Sequence, residues 1–420
     1  MTLRHPSRRR SVIALILLGV VVGAMALVIA RAGDDGRPQP QPTPSASGSE
    51  TLPPRDPTLL VQLRDDALMA VDNVLTGVHP DGAAAQIFLP SDLVVDLLRG
   101  SDSTLAATGI RPVSDAAPAV AAQTGIRVDG TLVLDRLAFA GLVDAIGGIT
   151  LDVPTPVVAR DRFGNVTSVI PLGTRTLDGP EAAVYALTLN RGEPESARQA
   201  RFSQAWNAVL AKLPGEPEKV RAILGNLGAL ARSDQATAVQ ADVLARAARA
   251  SRAHTMAMAD LAVLPGAEGP DPQSWIDPAA AEVQARTLFA SELLPPEQPP
   301  VRVRLYAGAA TIAQVQALRD RLSRAGFSVV WAGRSTVSAA SRPAASPSTI
   351  AAAGQQFADL GRELAVAMGQ PATPVAVDPA ASPGAPLTLV YSVPVATPSA
   401  ASPGQSASAS ASAGMTSSGR

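Results

Sequence analysis

A change of hydrophobic period within residues 129–154, DGTLVLDRLAFAGLVDAIGGITLDVP, constrains the fold most. Leu134, Leu137, Ala138, Gly141, Leu142 and Ala145 recur at helical spacing. Gly147-Gly148 then mark a helix stop, because glycine enters the left-handed backbone that closes helices. Beyond them Ile149, Leu151 and Val153 alternate, as a strand with one buried face does. The runs TLLVQL, ALMAVDNVL and AAAQIFLP upstream also read as strands. Strands interleaved with helices predict an α/β fold, a mixed sheet flanked by helices.

Other observations bound the chemistry. The chain has 420 residues, which suggests two domains plus linkers. It has no cysteine, so disulfides, a thiol nucleophile and thiolate metal sites are excluded. His5, His79 and His254 lie far apart in unlike contexts, which argues against a histidine-based triad or zinc site. Lys+Arg 35 balance Asp+Glu 36, so no global basic field favours nucleic acid.

The N-terminus carries a topological signal. Arg4, Arg8, Arg9 and Arg10 precede the uncharged apolar run 11–30, about the length that a bilayer-spanning helix needs. Positive charge ahead of the run predicts residues 1–10 in the cytoplasm, 11–30 as a single-pass anchor in the cell membrane, and the remainder outside. A cleaved signal peptide is the alternative, since Ala30 and Ala32 form an A-x-A pattern. Residues 31–57 read as a Pro/Ser-rich disordered linker, 58–290 as the main domain, 291–300 (SELLPPEQPP) as a Pro-rich linker, 301–394 as a second domain with internal linkers, and 395–420 as a disordered tail.

The stretch LDGPEAAVYALTLNRGEPESARQARFSQAW, 177–206, resembles the approach to an anion site. Residues 183–189 read as a strand, Gly192 and Pro194 as a turn, and Ser196 with Gln199 as the capping box of a following helix. Phe202, Trp206, Val209, Leu210 and Leu213 form that helix's apolar stripe. Arg198 falls on the edge of the stripe and Arg201 on its flank, so both face partly inward near the positive end of the helix. The plainer alternative is two arginines that cover the helix end with their stems. Residues 215–290 read as core-completing helices. The second region reads β-α-β then α-β, a small βαβαβ unit: VRVRLYAG, TIAQVQALRDRLSRAG, FSVVWAG, TIAAAGQQFADLGRELAVAMG and PLTLVYS.

Five segments in this order resemble the LytR-CpsA-Psr family: RDDALMAV, IFLPSDLVVDL, GLVDAIGGITLDVP, IPLGTRTLDGPEAAVYA and SARQARFSQ, together spanning about Leu59–Leu213. VRVRLYAGAATIAQVQALRDRLSRAGFSVV resembles the C-terminal LytR domain found in such proteins. The resemblance implies a membrane-anchored extracytoplasmic α/β enzyme. Such enzymes move a glycopolymer from polyprenyl pyrophosphate to a cell-wall acceptor, usually with Mg²⁺, and clamp the pyrophosphate with arginines. Phosphoryl transfer depends on such charge neutralisation and positioning.

Carried over position by position, the resemblance implies Arg198, Arg201, Arg64 and Asp92 as catalytic residues and Asp66 as metal ligand. Lipid phosphate falls to Arg198 and Arg201, with Arg191 as a substitute clamp. Ser91, Leu187 and Leu189 stand where the family has arginines, and Glu195 matches an acidic position in charge only. The expectation is therefore a low-activity or non-catalytic LytR-CpsA-Psr-like envelope protein. Its expected partners are a polyprenyl-linked glycopolymer or peptidoglycan, the membrane, and a sibling transferase, with no nucleic acid. The rival readings are an active, Mg²⁺-dependent phosphotransferase and a structural envelope protein without a lipid-phosphate site.

Overall fold

The computed structural model describes residues 56–96, 102–265, 273–307, 310–333, 348–371, 375–377 and 385–392. The expected cytoplasmic segment, anchor and tail lie outside them, as do almost all of the linker 31–57 and most of the two internal linkers of the second region. Among the described residues no helix is long and apolar enough to cross a membrane.

The first sheet begins with three strands read from the sequence: β1 (Thr58–Arg64), β2 (Ala70–Val78) and β3 (Ala84–Leu89). Helix α1 (Ala116–Thr124), β4 (Thr131–Leu134), α2 (Arg136–Ala145) and β5 (Ile149–Val153) follow. Next come α3 (Gly179–Leu187), α4 (Glu195–Lys212), α5 (Pro217–Leu227), β6 (Ala231–Ser233), α6 (Thr237–Ala253) and β7 (Met256–Asp260). The sheet order is β6-β4-β1-β2-β3-β7. β1 and β4, and β3 and β7, run parallel; the other neighbours run antiparallel. The sheet is thus mixed, as expected.

Alternation along β1 feeds two cores. Leu59, Val61 and Leu63 join the core built with α2, α3, α4 and α6, while Leu60 joins the opposite one, which includes α1 and Phe289. Burial on both faces explains why β1 reads as a continuous apolar run. β5, paired with Gly173–Leu177, keeps strict alternation of buried and exposed residues. Gly147 and Gly148, at φ +76° and +74°, end α2 as the sequence predicts.

Several sequence readings are corrected. Residues 183–187 are helical, within α3, because DGPE builds a helix start. Asp178 accepts from the Glu181 N–H at 2.9 Å, Glu181 reaches back to the Asp178 N–H at 3.3 Å, and Pro180 sits in the first turn. Residues 131–134 are strand β4, so Leu134 is not helical; Asp135 caps the Ala138 N–H at 2.8 Å and starts α2. The expected Ser196/Gln199 capping box does not form. α4 starts at Glu195 after Pro194, without a side-chain cap, and Gln199 instead donates to Asp260 at 3.0 Å. Residues 215–290 hold strands β6 and β7 and the hairpin Val263–Pro265/Ser274–Ile276 besides helices.

After α7 (Pro278–Leu288) come β8 (Val301–Tyr306), α8 (Ile312–Arg324) and β9 (Phe327–Gly333). The chain then forms β10 (Thr349–Ala352), α9 (Ala358–Ala367), β11 (Ala376–Val377) and β12 (Leu387–Val390). TIAA is therefore a strand rather than the start of a helix, and the unit has five strands, ordered β9-β8-β12-β10-β11, instead of three. Its own core centres on Val303, Leu305, Leu322, Leu364 and Leu389. Val330 and Ala385 join the α1-side core of the first sheet, which ties the two sheets together.

Candidate functional site

The loop between α3 and α4 is built around Asn190. Its amide accepts from the Val158 N–H at 2.9 Å and donates to Glu193 at 2.8 Å, while the Asn190 N–H donates to Glu193 at 3.0 Å. Gly192, at φ +83°, makes the turn. This loop sets Glu193 against the guanidinium of Arg201 at 3.0 Å. Arg201 also donates from Nε to the Tyr185 carbonyl at 3.2 Å and from Nη2 to the Thr188 carbonyl. Those carbonyls lie at the C-terminus of α3, so Arg201 caps that helix. Burial works against the Glu193 charge, but hydrogen bonds from Asn190 and Arg201 prevail and hold its carboxyl below the usual range.

One turn earlier, Arg198 donates to the Val71 carbonyl at 2.8 Å and lies 3.4 Å from Ser91 Oγ. Its Nη2 pairs with Glu195, and its Nε stands 3.6 Å from Asp72 Oδ1. Arg198 is 7% exposed and Arg201 6%. Asp72 is fully buried, and neither carboxyl oxygen accepts a hydrogen bond. Burial pushes its carboxyl up to about 8, against the pull of the Arg198 charge and with the help of Glu195. Glu195 lies closer to the Arg198 guanidinium than Asp72 does and is its nearer counter-charge.

The remaining expected site residues are dispersed among other partners. Arg64, at the end of β1, is buried and donates to the Gly109 carbonyl at 3.1 Å. Burial, then the charge of Arg232, lowers its pKa. Asp66 is three-quarters exposed, and Arg136 grips it bidentately at 2.9 and 3.0 Å. Asp92 accepts from Ser274 Oγ at 2.9 Å, against the Val263–Pro265/Ser274–Ile276 hairpin. Arg191 is exposed in the Asn190 loop. Of the two leucines at arginine positions, Leu187 lies in the core and Leu189 is half-exposed. The structure thus brings Ser91, Arg198 and Arg201 together with Asp72, Glu193 and Glu195.

Among the described residues no group of three or more His, Cys, Asp or Glu side chains is placed to hold a metal ion. A lone carboxylate already gripped by an arginine does not fit the several oxygen donors of a Mg²⁺ site. Sequence reading missed Asp72 and Glu193. The signal for Asp72 is an acid in the middle of an otherwise apolar strand, MAVDNVL. Glu193 has no comparable signal, because its partner is fixed only by the folded loop.

The LytR_cpsA_psr family model matches residues 106–266. The match contains the last three of the five similar segments and extends through α5, α6 and β7. Among solved structures the chain is similar to TagV of B. subtilis (17% identity, 56% of this chain and 97% of that one, TM-score 0.46). It is also similar to the LytR-Csp2A-Psr enzyme from Actinomyces oris (21%, 57% and 93%, TM-score 0.45). A third similar structure is TagT bound to LIIa-WTA (17%, 57% and 91%, TM-score 0.47). Among curated proteins none matches.

Proposed function

We propose that this is a cell-envelope protein of LytR_cpsA_psr type that holds a lipid-linked wall glycopolymer, or a wall-assembly partner, with little or no phosphotransferase turnover. The observation that carries the reading is the state of the arginine pair: Arg198 and Arg201 are buried, Arg198 is met by one backbone carbonyl and Arg201 by two, and each is met by a glutamate. A pyrophosphate would have to displace those partners, and transition-state stabilisation needs donors already aimed at the reacting oxygens. The reading requires no resident Mg²⁺.

The rest of the proposal follows the sequence. Residues 11–30 anchor the protein in the cell membrane, the two sheets lie outside the cytoplasm, and the second sheet serves as a LytR C-terminal-like module. Peptidoglycan and a sibling transferase are the further partners. The test is phosphate release from a polyprenyl-pyrophosphate-linked oligosaccharide by the full chain in detergent, with Mg²⁺ added. The expected rate is near the protein-free background. Robust turnover that Arg198→Lys removes while the fold persists overturns the proposal.

A further inference from the structure

A different arginine faces open space. Arg302, on β8, lines a cavity of about 220 Å³ between α1 and the proline-rich segment that leads into β8. Pro118 and Ala122 of α1 form one wall, and Pro296 and Pro299 belong to the other. The guanidinium packs directly over Gly125, where a Cβ would stand 1.6 Å from Nη1. Gly125, at φ +70°, is also the left-handed C-cap of α1. Glycine is therefore needed there for its backbone and for the seat it leaves. The negative end of the α1 dipole favours a cation in that seat.

Arg302 has no side-chain hydrogen bond or ion pair among the described residues. The acid whose field reaches it, Glu282, is engaged by Arg286 at 2.8 Å. Arg127, the other cation of the lining, is also engaged: Nε meets Asp129 at 2.9 Å and Nη2 the Asp56 carbonyl at 2.6 Å. Burial lowers the pKa of Arg302, as expected of a cation short of counter-charge. The cavity thus offers one unengaged planar fork among mostly apolar walls, with Gln298 as a neutral polar side chain of the lining. One cation suits a monoanion, whereas a phosphate dianion would leave a negative charge uncompensated among prolines. The fork matches a carboxylate in bidentate geometry.

We propose that this cavity binds a small organic monocarboxylate, with Arg302 gripping the carboxylate and the proline and alanine walls covering an apolar body. Benzoate is the probe, titrated into the full chain in detergent and followed by ligand-observed NMR, with inorganic phosphate as competitor. The expected result is saturable one-to-one binding, weakened about ten-fold or more by Arg302→Met, weakened less by Arg302→Lys, and not displaced by equimolar phosphate. In the unmodified protein, benzoate should also shield Arg302 from phenylglyoxal, read by peptide mass spectrometry, which keeps the test open if a variant misfolds. The proposal is overturned by absence of saturable binding to folded protein, by equal binding to Arg302→Met, by displacement with equimolar phosphate, or by unshielded Arg302.

Discussion

Arg201 and Arg302 are both held at the C-terminus of a helix, yet their surroundings differ. Arg201 caps α3 with two carbonyl contacts and has Glu193 beside it. Arg302 lies over the C-cap of α1 and makes no ion pair among the described residues. An arginine that the protein neutralises itself belongs to the architecture. One kept largely from water without a partner remains available to a ligand, because a bound anion supplies what the fold omits. Arg198 and Arg201, the pair singled out by the sequence resemblance, are thus met from within the fold, whereas Arg302 meets no ion-pair partner among the described residues.

The sharpest way to break this comparison is to remove each arginine. Arg201→Ala should lower stability by about 3 kcal/mol, since it strands Glu193 and frees the last carbonyls of α3. Arg302→Met should stay within about 1 kcal/mol of the parent in either direction, because it removes an unpaired charge and keeps an apolar stem. Urea midpoints at neutral pH compare the two. Equal losses would show that Arg302 is as much a part of the architecture as Arg201.

A second prediction concerns Asp72 at the buried end of the Arg198 cluster. Its folded pKa is raised to about 8, against about 3.9 in an unfolded chain. Between those values the folded state holds a proton that the unfolded state has lost. Raising the pH through this window therefore lowers stability, by about 1.4 kcal/mol per pH unit at most. Above about pH 8 both states are ionised and the effect is complete. Glu193, with its carboxyl held low, acts in the opposite sense at more acidic pH. From pH 5 to pH 7 the parent should lose about 2–3 kcal/mol relative to Asp72→Asn. Parallel pH profiles for the two proteins would place the proton elsewhere.

These sites also show what sequence can reveal. The alternation of Ile149, Leu151 and Val153 and the Gly147-Gly148 stop were legible because period and turn chemistry are local. The stripe Phe202, Trp206, Val209 and Leu210 is buried as its spacing implies. Residues 183–187 misled because a short apolar run fits both periods, and the DGPE cap that decides for helix lies outside it. That the arginines of α4 turn inward was legible from helical geometry. Their partners were not: Asp72 lies on a strand far away in sequence, and Glu193 depends on the Asn190 turn. Arg302 stayed hidden because the strand pattern of VRVRLY shows only that it alternates with buried residues, not that Gly125 seats it.

The seat itself offers a smaller test. Gly125→Ala introduces a Cβ where Nη1 now lies and forces alanine into a left-handed backbone. The backbone term alone is about 1–2 kcal/mol. Benzoate affinity should fall together with stability, because the guanidinium must leave its place. Unchanged affinity in a folded Gly125→Ala protein would separate the cavity from the helix end.

The smallest expected effect asks whether charge can be returned to the family motif. Leu187 is 7% exposed within the main core, so an arginine there would carry a large desolvation penalty. Leu189, at 38% exposure in the loop beyond α3, can accept one. Leu189→Arg should change stability by no more than about 0.5 kcal/mol. It should also leave phosphate release from polyprenyl pyrophosphate near background, because one cation at the rim leaves Arg198 and Arg201 with their glutamates. Both quantities can be measured on one preparation, by urea titration and by phosphate release with Mg²⁺ present. A clear gain in release would mean that the buried pair exchanges its internal partners for substrate, and Arg201 would then belong with Arg302 as an available charge.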